Sequence, residues 1–179
     1  MRAFHRRLIF IPLVAVSLLT GCISEYSKKE ITPASLKGIG KHSGTVQVLI
    51  TGGGKLNANT GVSNIQNQTL QDAIADSITQ SGLFSQVVKV GNADYQLDVL
   101  LVNLDQPVGN LTMTGTARII WKLTMLQNGK QIFQDEIVTV DRETLGDHFV
   151  GEARARAAVS GSVRKNIQEA IERISKIQF

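Results

Sequence analysis

Between residues 111 and 126 the chain alternates almost without a break. Leu111, Met113, Gly115, Ala117, Ile119, Trp121, Leu123 and Met125 are apolar or small, while Thr112, Thr114, Thr116, Arg118, Lys122 and Thr124 are polar. A period of two over this length predicts a long strand with one buried and one solvated face. Asn128-Gly129 follows at once, the dipeptide that closes a tight hairpin, so a second strand over about 131–140 is expected to pair back antiparallel. Shorter β-branched runs predict strands at 45–50, 85–90 and 95–104. In the last of these Leu97, Val99 and Leu101 fall on one side and Leu100, Val102 and Leu104 on the other. Apolar residues on both faces predict a central strand.

The period changes to three and four in two places. Leu70, Ala73, Ile74, Ser77 and Ile78 predict a helix over 67–81, with Gly82 at the position of a left-handed C-cap. Ala155, Val159, Val163, Ile167, Ala170, Ile171, Ile174 and Ile177 predict a helix over 152–177. Gly161 interrupts that helix and costs about 1 kcal/mol relative to Ala, so it marks a point of bending. Residues 52–64 are rich in Gly, Asn and Thr, and 141–150 lack a period, so both read as loops. The order strand, helix, several strands, helix predicts an α+β two-layer sandwich. Its sheet is mostly antiparallel, of four to five strands, with two helices on one face. The polar side of strand 111–126 leaves the other face wet or covered by a partner.

The domain so defined covers 45–179. Residues 22–44 have scattered apolar positions and no sustained period, and read as a flexible tether. Arg2, Arg6 and Arg7 precede an apolar run of about a dozen residues from Leu8 to Leu19. A bilayer span needs roughly 20, so residues 1–21 read as an export signal. This segment also explains the formal charge of +4. The segment holds three of the 19 basic residues and no acid, which leaves 16 basic against 15 acidic residues in the remainder. That balance, with few aromatics, argues against a nucleic-acid partner.

The apolar run ends Leu19-Thr20-Gly21-Cys22. This tetrad resembles the lipobox of bacterial lipoproteins. In that family the signal is cut between Gly21 and Cys22, the Cys22 thiol receives diacylglycerol, and the new amino group is acylated, commonly with palmitate. A thiolate is the nucleophile such an alkylation needs. Cys22 is the one cysteine in the chain and has no disulfide partner within it. Several acyl chains at about 0.8 kcal/mol per buried CH₂ make a lasting anchor. The resemblance further implies the outer membrane, on its periplasmic face, because Ile23 rather than Asp follows the cysteine.

From about residue 69 onward a second resemblance holds. Leu70 to Phe84 with its Ser81-Gly82-Leu83-Phe84 ending, Ala93-Asp94-Tyr95-Gln96-Leu97, the long strand, Asn128-Gly129-Lys130 and the C-terminal helix are similar to small envelope lipoproteins. These are the YajG-type, ABC-transport auxiliary and TolB N-terminal-like groups. The resemblance implies architecture and carries over no catalytic residue.

Candidate chemistry is sparse. Gly54-Lys55 is followed by Leu56, so the phosphate-loop pattern fails. Asp147-His148 lies near Asp141 and Glu143, a grouping that could serve a metal or a base, but no nucleophile motif accompanies it. No catalytic residue, cofactor or metal site is therefore expected. The expected function is that of a lipid-anchored, non-enzymatic binding or assembly module of the envelope. Its partners are the membrane, through the N-terminal lipid, and an envelope protein. The alternative is an accessory lipoprotein of lipid or lipopolysaccharide transport that touches lipid directly. The residues expected to make contact are Thr114 on the long strand and Arg154, Arg156 and Arg164 on the last helix.

Overall fold

In the computed structural model, residues 25–36, 42–53, 65–107 and 111–178 are described. The long alternating segment forms β4 (Met113–Met125), and its inward residues Ala117, Ile119, Trp121 and Leu123 have no solvent exposure. A turn with Gly129 at φ +69° returns the chain as β5 (Lys130–Glu143), antiparallel from Met125↔Lys130 to Met113↔Glu143. On the other side β4 pairs antiparallel with β3 (Tyr95–Asp105). β1 (His42–Thr51) runs parallel to β3 and to the short edge strand β2 (Phe84–Val88). The helix α2 (Asn67–Ser81) connects β1 to β2, the kind of crossover that parallel pairing requires. The order is β2-β1-β3-β4-β5, with β3 central as its two-sided apolar pattern predicts.

The expected α+β architecture is observed, with a mostly antiparallel five-stranded sheet. Both long helices cover one face. α2 lies over β1 and β2, and α3 (Gly151–Ser175) lies over β4 and β5. Val46, Val48, Leu97, Val99, Leu101 and Trp121 from the sheet meet Leu70, Ile74, Ile78, Val159, Val163 and Ile167 from the helices in one core. α3 approaches closely: a Cβ on Gly115 would lie 2.5 Å from the backbone of Ala158. Asn166 of α3 sits unexposed in this core, where its Oδ1 accepts from Trp121 Nε1 (2.9 Å) and its Nδ2 donates to the Ile137 carbonyl (2.8 Å).

Three expectations need correction. Leu104 faces the core with no exposure, opposite to the side assigned by alternation. The β3–β4 ladder slips by one residue between Leu101 and Asn103, and such a bulge reverses every side chain beyond it. Residues 25–36 are packed, where a free tether was expected. They form a one-turn helix, α1 (Lys28–Ile31), and place Tyr26, Ile31 and Leu36 in the core. The strand after them begins at His42 rather than Thr45.

Candidate functional site

Among the described residues, the face of the sheet away from the helices is open. Thr114, Thr116, Arg118, Ile120, Lys122 and Thr124 of β4 point there, because their odd-numbered neighbours fill the core. The register sets Leu100 and Glu136 beside Ile120, Val138 beside Arg118 and Val140 beside Thr116. Leu49 of β1 and Leu100 of β3, on interior strands, and Val138 and Val140 of the edge strand β5 are each 38–47 % exposed. A groove of about 300 Å³ runs between Leu49, Leu100 and Ile120, with Thr51, Lys122 and Gln134 around it.

The charges on this face are matched. Arg118 Nη1 lies 3.0 Å from Glu136 Oε1, and Lys122 Nζ lies 3.2 Å from Asp98 Oδ2. Pairs this exposed add little stability, about 0–1 kcal/mol each. Their effect is to leave the groove electrically neutral, so what it offers is apolar contact flanked by hydrogen-bonding side chains. Such a surface can hold an extended or helical segment of another protein. Thr114 is exposed on this face, as expected, at the end where β4 begins.

The sequence did not reveal the groove, because its floor comes from three strands. Leu49, Leu100 and Ile120 are adjacent only in the order β1-β3-β4. The one signal in the sequence is the second apolar side of β3, and central burial accounts for that equally well.

The three arginines lie in the helical layer, on the other side of the sheet from Thr114, and each is engaged within the protein. Arg154 is 6 % exposed, and its Nη1 donates to the carbonyls of His148 and Phe149, each at 2.7 Å. Arg156 clamps α1: Nε donates to Glu30 Oε1 (2.5 Å) and Nη2 to Glu30 Oε2 (2.9 Å), and the guanidinium stacks over the Tyr26 ring at 4.6 Å. Arg164 donates to the Glu30 carbonyl. The hydrogen bonds from Arg156 are the main cause of a Glu30 pKa lowered to about 2, and burial pushes Tyr26 up to about 12. The cationic groups of these three residues thus hold residues 25–36 and the loop before α3. Cys22 and Gly21, like Lys55, lie outside the described residues.

Asp147 and His148 do not converge with the acids near them. Asp147 Oδ2 accepts from the backbone N–H and the hydroxyl of Thr144, both at 2.8 Å, which lowers its pKa and closes its own turn. Asp141 pairs with Lys165 Nζ at 2.7 Å. Among the described residues no group of three or more His, Cys, Asp or Glu side chains could hold a metal ion, and no helix is long and apolar enough to cross a membrane. A wider hollow of about 740 Å³ lies at the other end of the sheet, around Gly44, Asn92 and Gln127. Its one carboxylate, Asp94, is already engaged by the backbone N–H (2.7 Å) and hydroxyl (3.0 Å) of Thr45.

No family model and no curated protein matches the sequence. The fold does have counterparts. Protein XCC0632 from Xanthomonas campestris, of the family DUF330, superposes with a TM-score of 0.60 at 13 % identity, covering 81 % of this chain and 90 % of that one. The hypothetical protein CT253 from Chlamydia trachomatis gives 0.55 at 10 % identity, over 76 % and 98 %. PelC from Paraburkholderia phytofirmans, solved as a dodecamer, gives 0.52 at 14 % identity, over 82 % and 95 %. At these identities the likeness is one of fold.

Proposed function

We propose that this protein is a lipid-anchored, non-enzymatic module of the bacterial envelope that binds a protein partner through the open face of its sheet. The observation that carries the reading is the neutral apolar groove between Leu49, Leu100 and Ile120 on a sheet face that no helix among the described residues covers. The Leu19-Thr20-Gly21-Cys22 tetrad and the charged, apolar segment before it support the anchor. Ile23 after the cysteine supports an outer-membrane address. Direct lipid contact through Arg154, Arg156 and Arg164 is disfavoured, because each already donates to groups of its own chain.

Photo-crosslinking in the native envelope tests this reading. Probes replace Thr114 and Leu100 on the open face, and Asn128 in the far hairpin serves as control. A discrete protein adduct at the two face positions and none at the control is expected. Adducts at all three positions alike, or none to any protein, would remove the support for a partner on this face.

A further inference from the structure

The chain enters the described domain at an end built from loops. Glu25 is held there twice: its carbonyl accepts from Arg156 Nη2 (2.6 Å) and its Oε1 accepts from Gln66 Nε2 (3.3 Å). Gln66 is the N-cap of α2, and Arg156 stands in the second turn of α3, so both long helices begin here. β1 ends here, where the Gly53 N–H donates to Asn67 Oδ1 (2.7 Å). β4 starts and β5 ends here, with Met113 paired to Glu143 and lying against Gly151 at the start of α3. Cys22 precedes Glu25 by three residues, so covalent geometry alone keeps the two within about 11 Å.

The same end exposes large apolar side chains. Phe149 is 89 % exposed, Leu111 72 % and Val150 61 %. Phe149 and Val150 form the tip of the loop before α3, and Leu111 leads into β4. That loop is held in shape from below, by the two hydrogen bonds from buried Arg154 and by the Asp147–Thr144 turn. The apolar tip is thus presented in a fixed conformation, which lowers the ordering cost of any contact. Charge does not explain this surface. The basic residues Arg142, Arg154 and Arg156 are outnumbered here by Glu25, Glu30, Glu143, Asp147 and Glu152, so these residues offer anionic headgroups no cationic excess.

We infer that this end is a membrane-insertion surface, with Phe149, Val150 and Leu111 entering the interfacial layer of the bilayer that holds the Cys22 lipid. The inference rests on the lipid-anchor reading. The chain has at most about 11 Å of reach between anchor and domain, so the end that carries Glu25 must meet the bilayer, and its tip is apolar and preformed. The contact is apolar and therefore insensitive to salt.

The test uses the full-length protein from cell membranes, reconstituted in phosphatidylethanolamine–phosphatidylglycerol vesicles. Phe149→Cys supplies the one free thiol once Cys22 is acylated, and Asn128→Cys places the same fluorophore in the far hairpin. Doxyl-labelled lipid is expected to quench the label at 149, at low and high salt alike, and aqueous iodide to leave it bright; the pattern reverses at 128. Iodide quenching at 149 equal to that at 128 overturns insertion. A label at 149 shielded from both quenchers also overturns it, because a protein then covers the tip. Phe149 is exposed, so these variants fold. Mass spectrometry of the unsubstituted protein separates the two failures. A free Cys22 thiol without acyl mass defeats the anchor and the inference with it. An acylated Cys22 beside an iodide-quenched tip defeats the inference alone.

Discussion

Arg156 and Glu30 face each other as a two-pronged ion pair across 126 residues of sequence. Through this pair and the stacking on Tyr26, the second turn of α3 holds α1 and the residues around it against the domain. Arg156→Ala is expected to release residues 25–36 at a cost of roughly 1–2 kcal/mol, because both side chains retain some exposure and the pair is partly screened. Hydrogen exchange should rise across 25–36 while β3 and β4 stay protected. Uniform loosening of the whole domain would contradict a local clamp.

The same pair sets an acid response. Glu30 titrates at about 2 in the folded protein, against an ordinary value of 4.5. Folding therefore favours its charged form. The stabilisation is complete above about 4.5 and is lost as the pH falls toward 2. Tyr26 acts at the other extreme. With its pKa raised from 10 to about 12, it keeps its proton longer when folded, so stability falls as the pH rises from 10 to 12. Denaturant midpoints measured from pH 2 to 6 should decline at the acid end, and Glu30→Gln should flatten that decline.

Trp121 is the only tryptophan in the chain and is wholly buried against Asn166. Asn166→Leu removes the acceptor of the indole N–H and the donor to the Ile137 carbonyl. Two buried groups are left unpaired, at an expected cost of about 2–4 kcal/mol. Tryptophan emission then reports the unfolding transition, and its midpoint in urea should fall accordingly.

Gly161 has the opposite role to the one its helical position predicts. Ala there gains about 1 kcal/mol of helix propensity, but its Cβ would lie 1.5 Å from Asp141 Oδ2. Gly161→Ala is therefore expected to destabilise. Adding Asp141→Ala should recover most of the loss, a coupling that a double-mutant cycle reads directly. Gly115→Ala offers no such rescue, because its Cβ meets the backbone of Ala158 and Val159 at 2.5 Å. About 3 kcal/mol is expected there.

Local patterns were legible and distant contacts were not. α2 spans Asn67–Ser81 as its period predicts, because Gly82 adopts φ 68° and ends the helix by itself. The β4–β5 turn forms at Asn128-Gly129, where Lys130 N–H donates to Asn128 Oδ1 at 2.9 Å. Both signals lie within a few residues. Residues 25–36 carry too few apolar positions to show a period, and what holds them is Arg156 and Arg164, more than 120 residues away. The bulge after Leu101 leaves no mark in composition, so the inward turn of Leu104 could not be read. On the open face the row of threonines was visible, but the groove needed the strand order. The three arginines show only their charge in the sequence, because the Glu30 carboxylate and the Glu25 and Glu30 carbonyls that Arg156 and Arg164 bond belong to a distant segment.

Among the described residues the sheet has two unpaired edges, and they differ in length. β2 offers five residues, too short a template for another chain, whereas β5 offers fourteen. Strand addition at such an edge is the usual route to aggregation. β5 carries Lys130, Asp135, Glu136, Asp141, Arg142 and Glu143, so an incoming copy would have to bury charge along much of its length. Arg173 reaches from α3 to Asp135 and Lys165 to Asp141, placing helix-borne cations along this last strand. A broad sheet face thus stays exposed while the longer of the two edges resists fibril-like stacking of further copies.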